Sequence, residues 1–314
     1  MKKTLLSAIQ PSGRPHIGNY FGAMKQFVDL QNEYEAFIMI ADYHALNSVQ
    51  DAKEMRENIL NLALDYLAIG LDPKKITLFK QSDVSAHAEL TWIFDTVTSM
   101  PFLMRAHAFK DAEAKNKEIS VGKFNYPILM AADILLYNTD LVPVGQDQKQ
   151  HIEYSRDIAL KFNNIFGEAF KLPEALIKES VAIVPGVDGQ KMSKSYKNTI
   201  ELFASDEEID KAVMSIVTDS SGEVPKNVYE IHKLFRSKAE LDAIYSEHKG
   251  KYKALKEALA QDIKAFVGPL REKREKLSQD KAAVIKILEE GALKAKAVAD
   301  KKLAEVKKKI GVTL

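Results

Sequence analysis

A carboxylate interrupts an apolar stretch of the chain, the segment YPILMAADILLY at residues 126–137. On a helix, positions i, i+4, i+7 and i+11 share one face, and Tyr126, Met130, Asp133 and Tyr137 have this spacing. An ionised carboxylate on such a face is unfavourable unless a partner satisfies it. Asp133 is therefore either satisfied by a neighbouring side chain or a helix cap, or it faces a pocket and accepts a ligand's hydrogen bond.

A second candidate is the segment PSGRPHIGN at residues 11–19, which follows a predicted strand and opens a predicted helix. Its prolines and glycines favour turns, and free N–H groups at a helix start attract phosphates. His16 can donate to phosphoryl oxygens, and Gly18 lets a nucleotide come close to the backbone. Alone, this segment could equally be a plain connection between a strand and a helix.

A third candidate is KMSKS at residues 191–195, inside a polar stretch at 186–198 that predicts an exposed, flexible loop. Lys191 and Lys194 could close over a triphosphate and stabilise the charge that leaves as pyrophosphate. A solvated basic loop has the same composition. The two loops together, one after the first strand and one after the last strand of a single α/β domain, are a rarer coincidence than either alone.

A fourth segment, GQDQ at 145–148, directly follows a predicted strand. Asp147 and Gln148 at the carboxyl end of a strand suit a sugar hydroxyl and an amino group. Asp147 could instead cap the helix that follows.

Alternating strands and helices over the first 185 residues must position these segments. Apolar runs predict strands at residues 4–9, 36–42, 76–81, 141–144 and 181–186. Helical periods predict helices at residues 18–34, 52–70, 86–99 and 147–167. The fold class is therefore α/β, a parallel sheet with helices on both faces, and its ligands should bind beyond the carboxyl ends of the strands.

The rest of the chain differs from this alternating part. Residues 110–123 are charged and weakly periodic, which predicts a mobile connection. Strand signals fade after about residue 200, and the remainder reads as helical with a turn-like break at 218–227. Residues 291–314 hold seven lysines against two acids. They form either a basic face for a polyanion or a solvated terminal helix.

Composition narrows the function classes. At 314 residues the chain suggests about two domains. A net charge of +1 does not indicate a globally basic nucleic-acid binder, and the lack of cysteine excludes disulfides, cysteine-based metal sites and thiol nucleophiles. Gln10 and Pro11 break the N-terminal apolar stretch too early for a signal peptide. No apolar run approaches 18 residues, so no membrane span is expected.

The chain resembles the class I aminoacyl-tRNA synthetases, and among them the bacterial-type tryptophan–tRNA ligases. The likeness runs over essentially the whole chain and is carried by AIQPSGRPHIGNYFGAM (8–24), DYHAL (42–46), YPILMAADILLYNTDLVPVGQDQKQHIE (126–153), KMSKS (191–195), VTDS (217–220) and EGALKAKAVADKKLAEV (290–306). It departs from relatives at Gln146, where Glu is common, and at Leu6, where some have Phe.

The resemblance implies an architecture and an activity. Residues 1–199 would form a Rossmann-like catalytic domain, 200–288 a helical anticodon-binding domain, and 289–314 a basic helix packed back on the catalytic domain. The enzyme would activate L-tryptophan with ATP to tryptophanyl-adenylate and pyrophosphate, then transfer tryptophan to tRNA(Trp). It would be a cytoplasmic homodimer, not associated with a membrane. Mg²⁺ would arrive with ATP, and no protein-bound structural metal is expected.

The resemblance also implies roles for individual residues. The catalytic residues would be His16, Asn19, Lys191 and Lys194. ATP would be held by Gln10, Pro11, Ser12, Gly18, Asn19, Gly145, Gln146, Asp147, Ile183, Lys191, Met192, Ser193, Lys194 and Ser195.

For the amino acid, Asp133 would accept the indole N–H, which is a donor only. The ring would be walled by Leu6, His44, Met130, Val142 and Val144, and the α-amino group would be bound by Tyr126 and Gln148. The other histidines are predicted to be structural: His87, His107, His151, His232 and His248. Trp92, the single tryptophan, is predicted to pack in a core.

Three other readings remain open. A tyrosine–tRNA ligase shares the architecture, but a phenol normally needs a second polar group deep in the pocket, where this chain offers Leu5, Leu6 and Ile9. A small nucleotidyltransferase of the same superfamily would share the first loop but not the helical region. A non-enzymatic RNA-binding paralogue tends to lose signature residues, which are kept here at Gly18 and Lys194.

Overall fold

A five-stranded parallel sheet organises the first half of the computed structural model, which describes residues 2–106, 109–110, 118–145, 148–177, 184–218 and 224–314. The strands are β1 (Thr4–Ile9), β2 (Glu35–Ile40), β3 (Ile76–Lys80), β4 (Leu141–Pro143) and β5 (Glu174–Leu176). Their order is β3-β2-β1-β4-β5, and every pairing is parallel. The predicted α/β fold class with a Rossmann-like parallel sheet is confirmed.

The fifth strand is not where the sequence predicted it. β5 comes from the short run Glu174–Leu176, which pairs with β4. Of the predicted strand at 181–186, residues 181–183 lie outside the described part of the chain, and Pro185 makes an isolated antiparallel bridge to Lys191. The run at 174–176 was missed because three partly exposed residues carry too little periodic signal.

Helices lie on both faces of the sheet. In the first half they are α1 (Ile17–Asn19), a π-helical turn (Tyr20–Met24), α2 (Lys25–Leu30), α3 (Asp42–Ala45), α4 (Ala52–Ala68), α5 (Ala86–Val97), α6 (Met100–Leu103), α7 (Val121–Leu135) and α8 (Lys149–Phe166). Short 3-10 turns cover Gln81–Asp83 and Lys194–Tyr196. Of the mobile connection predicted at 110–123, residues 111–117 lie outside the described part of the chain, and helix α7 already begins at Val121.

Local chemistry explains the ends of α4. The Asp51 side chain accepts hydrogen bonds from the backbone N–H groups of Lys53 and Glu54, which satisfies donors that have no partner inside the helix. Gly70 follows the helix with φ of +110°, a conformation that favours glycine. The helix predicted at 52–70 is therefore correct to within two residues.

Two hydrophobic cores flank the sheet. Leu5, Ile38 and Leu78 point to one core, and their chain neighbours Leu6, Phe37 and Phe79 point to the other. Successive side chains of a strand face opposite sides, so both faces are covered and the central strands are mostly apolar, with Thr4 and Ser7 as the polar residues of β1.

The C-terminal part is helical, with α9 (Asp206–Met214), α10 (Lys226–His232), α11 (Lys238–Glu247), α12 (Tyr252–Ser278) and α13 (Lys281–Lys309). The boundary predicted at residue 289 falls within the continuous helix α13. Helix α13 packs on edge strand β3, where an ideal Cβ at Gly291 would lie 1.8 Å from the carbonyl oxygen of Leu78. A helix over a sheet edge also shields it from pairing with other chains. Among the described helices, none has the length and apolar character needed to cross a bilayer.

Candidate active site

Asp133 lies on α7 with 3% of its surface exposed, and three side chains donate hydrogen bonds to its carboxylate. Gln81 Nε2 lies 2.7 Å and His87 Nδ1 2.6 Å from Oδ1, while His44 Nε2 lies 2.8 Å from Oδ2. Burial alone would raise the pKa of this carboxyl, but hydrogen bonds from His44 and His87 outweigh it and lower the pKa to about 2. Asp133 is therefore ionised at neutral pH.

The three donors come from the carboxyl ends of neighbouring strands and the helix that follows. His44 sits on α3 after β2, and Gln81 directly follows β3. Asp42 ties the two strand ends together by accepting hydrogen bonds from the backbone N–H of Ser82 and from its hydroxyl. His87 comes from α5. Of these donors, Gln81 was missed, although a polar residue at the end of a predicted parallel strand was a usable signal. The prediction of a purely structural His87 did not include its hydrogen bond to Asp133.

Asp133 opens into a cavity of about 260 Å³, named here the Asp133 cavity. All eight residues predicted to surround the amino acid line it: Leu6, His44, Tyr126, Met130, Asp133, Val142, Val144 and Gln148. Phe27, Met39 and Ile134 add apolar wall. A cavity with apolar walls and one ionised acceptor suits a flat, apolar ring that carries a single N–H donor.

Tyr126 borders the mouth of this cavity. Its hydroxyl lies 3.2 Å from His151 Nε2, a contact that the prediction of a purely structural His151 did not include. Burial, with a smaller effect of Tyr154, raises the pKa of Tyr126 to about 12, so the phenol stays neutral. A phenol that donates to His151 keeps its oxygen lone pairs available for an ammonium group.

A second cavity, of about 240 Å³, lies between the first loop and the KMSKS segment and is named here the Lys194 cavity. Five residues predicted to hold ATP line it, together with the predicted catalytic residue His16: Gln10, Ser12, Asn19, Ser193 and Lys194. Lys194 Nζ donates to the carbonyl oxygens of Ser12 at 3.1 Å and Gly13 at 2.8 Å. Burial of the ammonium lowers the pKa of Lys194, and Asp65 and Glu201 act against this shift.

His16 and Asn19 form a reciprocal cap at the start of α1. His16 Nδ1 accepts from the Asn19 backbone N–H, and the Asn19 side-chain oxygen accepts from the His16 backbone N–H. Burial, and then the charge of Lys194, lower the pKa of His16 from 6.5 to about 4. The neutral ring therefore carries its proton on Nε2, so it is a donor suited to a phosphate oxygen.

Gly18 is needed here for protein packing. A Cβ at this position would lie 2.9 Å from His16 Nδ1 and 3.4 Å from the Cβ of Met192. Gly18 and Met192 do not line the Lys194 cavity, and Met192 is instead buried in the first core. The glycine thus lets the KMSKS segment dock against the first loop.

The other predicted nucleotide residues divide into three groups. Pro11, Lys191 and Ser195 line neither cavity, and the Lys191 side chain is exposed. Gly145 lines the Asp133 cavity instead. Gln146, Asp147 and Ile183 lie outside the described part of the chain, as does His107.

Gln10 lines both cavities. It follows β1, the central strand of the sheet, so it lies at the edge where ligands of parallel sheets bind. An anion in the Lys194 cavity and a ring in the Asp133 cavity would meet at this residue.

Trp92 does not pack in a core. Its side chain is 71% exposed at the rim of an apolar groove of about 630 Å³ that also includes Ile93, Phe166, Ile310 and Val312. Lone tryptophans favour burial on average, but Trp92 lies on the outer face of α5 while Leu90 and Phe94 face the core.

Among the residues that the structure describes, no group of three or more histidine, aspartate and glutamate side chains is placed to hold a metal ion. The Lys194 cavity is lined instead by one cation, Lys194, and by neutral polar side chains, which suit a polyanionic ligand.

Comparison with known proteins gives a family match, a similar relative and similar solved structures. A family model described as tRNA synthetases class I (W and Y) matches residues 2–287. A tryptophan–tRNA ligase of Fusobacterium nucleatum is 50% identical over 99% of this chain and 98% of its own length.

Among solved structures, tryptophanyl-tRNA synthetase from Campylobacter jejuni, complexed with ADP and tryptophan, superposes with a TM-score of 0.91. It is 44% identical, and the match covers 98% of this chain and 99% of that one. A tyrosyl-tRNA synthetase from Archaeoglobus fulgidus, at 20% identity and a TM-score of 0.69 over 87% of this chain and 90% of its own, shares the fold.

Proposed function

The chain belongs to the class I tRNA synthetases of the tryptophan and tyrosine family, and we propose that its two cavities bind tryptophan and ATP. Its activity is tryptophan–tRNA ligation. A carboxylate oxygen of tryptophan attacks the α-phosphorus of ATP, and the bond to the leaving pyrophosphate breaks. A hydroxyl of the terminal tRNA ribose then attacks the adenylate carbonyl and releases AMP.

The observation that carries the site assignment is Gln10, shared by the two cavities. With the indole against Asp133, the tryptophan carboxylate would point toward Gln10, and with the phosphates against Lys194, the α-phosphate would approach it from the other side. Catalysis of this kind depends on positioning and on stabilising phosphoryl charge. His16, Asn19 and Lys194 supply donors for that charge. Lys191 would act only if its exposed side chain turned inward.

The amino-acid choice rests on the remaining acceptor of Asp133. Oδ1 accepts two hydrogen bonds and Oδ2 accepts one, which leaves one lone pair of the carboxylate for the indole N–H. Phenylalanine would leave that acceptor unpaired, and sites of this kind reject such analogues roughly 10⁴–10⁵-fold. A phenol could also donate one hydrogen bond, but its hydroxyl lies at the far end of the ring, whereas the indole N–H lies on the side of the ring and closer to Cβ. Tyr126 and Gln148 border the cavity where the α-amino group would lie.

ATP–pyrophosphate exchange with each amino acid tests this assignment. We expect exchange with tryptophan and little with tyrosine or phenylalanine. Faster exchange with tyrosine would contradict the amino-acid choice, and exchange without charging of any tRNA would favour a nucleotidyltransferase. No exchange with any amino acid would favour a non-enzymatic RNA-binding role.

We propose that Mg²⁺ enters with ATP, bound to phosphate oxygens and not to a carboxylate cage. The Campylobacter jejuni structure contains ADP, which supports nucleotide binding in this family. Exchange measured at varied free Mg²⁺ and fixed MgATP tests whether a further ion is required.

We propose that helices α9–α12 bind the tRNA anticodon, within the predicted domain at 200–288, and that the helix ending at Lys309 supports the catalytic domain. Arg274 on α12 pairs with Asp65 on α4, so the helical part is tied to the sheet domain beside Leu62 of the Lys194 cavity. Aminoacylation of tRNA(Trp) transcripts with single anticodon changes, using the full chain, should show a fall in kcat/KM.

We also propose that the chain is a homodimer in the cytoplasm. The exposed Trp92 and its apolar groove offer an interface, because apolar patches of this kind on a protein surface mark association sites. Light scattering after gel filtration should give twice the mass of one chain, and Trp92→Glu should shift the protein toward the monomer. Since Trp92 is the single tryptophan, its fluorescence should change on dilution in the absence of substrate.

A further inference from the structure

A buried chain of three polar side chains lies beneath the Asp133 cavity. His87 is fully buried, with Nδ1 2.6 Å from Asp133 Oδ1 and Nε2 2.8 Å from the Tyr137 hydroxyl. Tyr137 is 2% exposed, and its ring packs against Phe37 with centroids 4.7 Å apart. His87 and Tyr137 do not line the cavity, so any effect on a ligand must pass through Asp133.

The hydrogen-bond pattern fixes the proton of His87. The buried hydroxyl of Tyr137 has Nε2 of His87 as its hydrogen-bond partner. The ionised carboxylate of Asp133, on the other side of His87, can only accept a hydrogen bond. Neutral His87 with its proton on Nδ1 satisfies both neighbours, since Nε2 then accepts from Tyr137 and Nδ1 donates to Asp133. The opposite tautomer would place two acceptors together at 2.6 Å.

This arrangement also fixes the orientation of the Asp133 carboxylate. His87 and Gln81 occupy both lone-pair directions of Oδ1, and His44 occupies one direction of Oδ2. His44 itself lines the cavity, whereas His87 holds the carboxylate from the opposite, buried side. Without His87, the carboxylate could rotate and offer its lone pairs in several directions.

We infer that His87, held in one tautomer by Tyr137, is a positioning residue that determines specificity for an N–H donor ring by fixing the single open acceptor of Asp133. The inference rests on the proposed function of the Asp133 cavity. The ligand class is an aromatic amino acid with one ring N–H, and the ring sulfur analogue 3-benzothienylalanine lacks that donor.

Three variants separate positioning from simple burial. His87→Asn keeps an N–H donor at the position of Nδ1 but loses the partner of Tyr137, His87→Leu removes both hydrogen bonds, and Tyr137→Phe removes the hydroxyl alone. ATP–pyrophosphate exchange is measured with tryptophan and with 3-benzothienylalanine, and KM is determined for the amino acid and for ATP. Because the ratio of the two amino acids comes from one preparation, it does not depend on the folded fraction.

We expect His87→Leu to raise the KM for tryptophan about 10- to 100-fold, the range for loss of a buried hydrogen bond to a charged group, with the KM for ATP nearly unchanged. The KM for 3-benzothienylalanine should change much less, because that ligand does not use the acceptor. His87→Asn should fall between wild type and His87→Leu. Tyr137→Phe should act in the same direction with a smaller effect.

His232 provides a matched control. It is fully buried, with Nε2 2.8 Å from Asp262 Oδ2 and Nδ1 3.3 Å from the Tyr245 hydroxyl, in the C-terminal helical part. His232→Asn should lower stability without changing the ratio between the two amino acids, since pyrophosphate exchange needs no tRNA. An equal change of this ratio in His232→Asn would overturn the inference.

If His87→Leu selects between the two amino acids as the wild type does, the inference about His87 is wrong. If the leucine variant does not fold, wild-type selectivity of His87→Asn and Tyr137→Phe would have the same meaning. Neither result would contradict tryptophan activation by the wild type. Failure of the wild type to exchange with tryptophan would instead contradict the proposed function.

Discussion

The Nζ atom of Lys194 lies 2.8 Å from the carbonyl oxygen of Gly13, although 181 residues separate them in the chain. This contact closes the KMSKS segment over the first loop and puts a cation at the wall of the Lys194 cavity. Two carbonyl oxygens hold the ammonium until a stronger anionic partner enters. A phosphate would replace them as the partner of Lys194, because hydrogen bonds between ionised groups are the stronger kind.

Lys194→Ala should slow adenylate formation by about 10²–10³-fold, the range for loss of one preorganised group that stabilises transition-state charge. Tryptophan binding should stay nearly intact, because Lys194 does not line the Asp133 cavity. Single-turnover adenylate formation and equilibrium tryptophan binding measure the two effects. Lys197→Gln in the same loop, where the side chain is exposed, is the control. An unchanged rate of adenylate formation in Lys194→Ala would show that this lysine takes no part in the reaction.

Asp133→Asn should lower kcat/KM for tryptophan by about 10- to 100-fold, because a neutral amide is a weaker acceptor and its NH₂ group meets donors on all sides. The KM for ATP should change little. Asp262→Asn is the matched control, since Asp262 also accepts from a buried histidine but lies in the helical part. Normal tryptophan selection by Asp133→Asn would show that Asp133 does not determine the choice of amino acid, and would leave the synthetase assignment in place.

His16 should make the protein less stable as the pH falls from 6.5 to 4. The folded-state pKa is depressed to about 4, so in this window the unfolded state binds more protons and the free energy of unfolding decreases with falling pH. His16→Asn lacks this titration. Urea unfolding of both proteins at several pH values should show wild type losing about 1–2 kcal/mol relative to the variant, since the cavity is open to water. A difference in the free energy of unfolding that stays constant from pH 6.5 to 4 would show that the pKa of His16 is not lowered in the folded state.

Gly291→Ala should destabilise the protein by about 1–3 kcal/mol, the usual cost of overpacking. The added methyl group would meet the backbone of Leu78 in β3, so α13 or the edge strand must move. Thermal unfolding measures the effect. Gly268→Ala is a suitable control, because a Cβ there meets nothing within 4 Å. A Gly291→Ala variant at least as stable as wild type would contradict the tight packing of α13 on β3.

Arg274→Met should destabilise the protein by about 3–5 kcal/mol, because it leaves the buried carboxyl of Asp65 without its partner. Burial raises the pKa of Asp65 to about 6, against the lowering effect of Arg274, so loss of the arginine should favour the protonated acid. The double variant with Asp65→Leu should recover much of the loss. Additive losses in denaturant unfolding would contradict the pairing.

The sequence by itself determined the strands β1 to β4 and helix α4, which was predicted at 52–70 with Gly70 at its end. These follow from local rules, since side-chain periodicity, capping residues and turn formers act over a few neighbouring positions. The resemblance of the motifs then named most of the predicted residues that line the two cavities and gave them their roles. Asp133 could already be recognised in the sequence as an unusual carboxylate, because the residues around it are apolar.

The tertiary structure decided which groups share a space. Gln81 and His87 reach Asp133 from 52 and 46 positions away, and Gln10 joins two cavities. Sequence periodicity could not show that β5 is formed at Glu174–Leu176, because this depends on pairing with β4. The outward position of Trp92 was missed although Leu90 and Phe94 mark the opposite face of α5. Such contacts are set by the folded geometry of distant segments, and no local pattern encodes the partner.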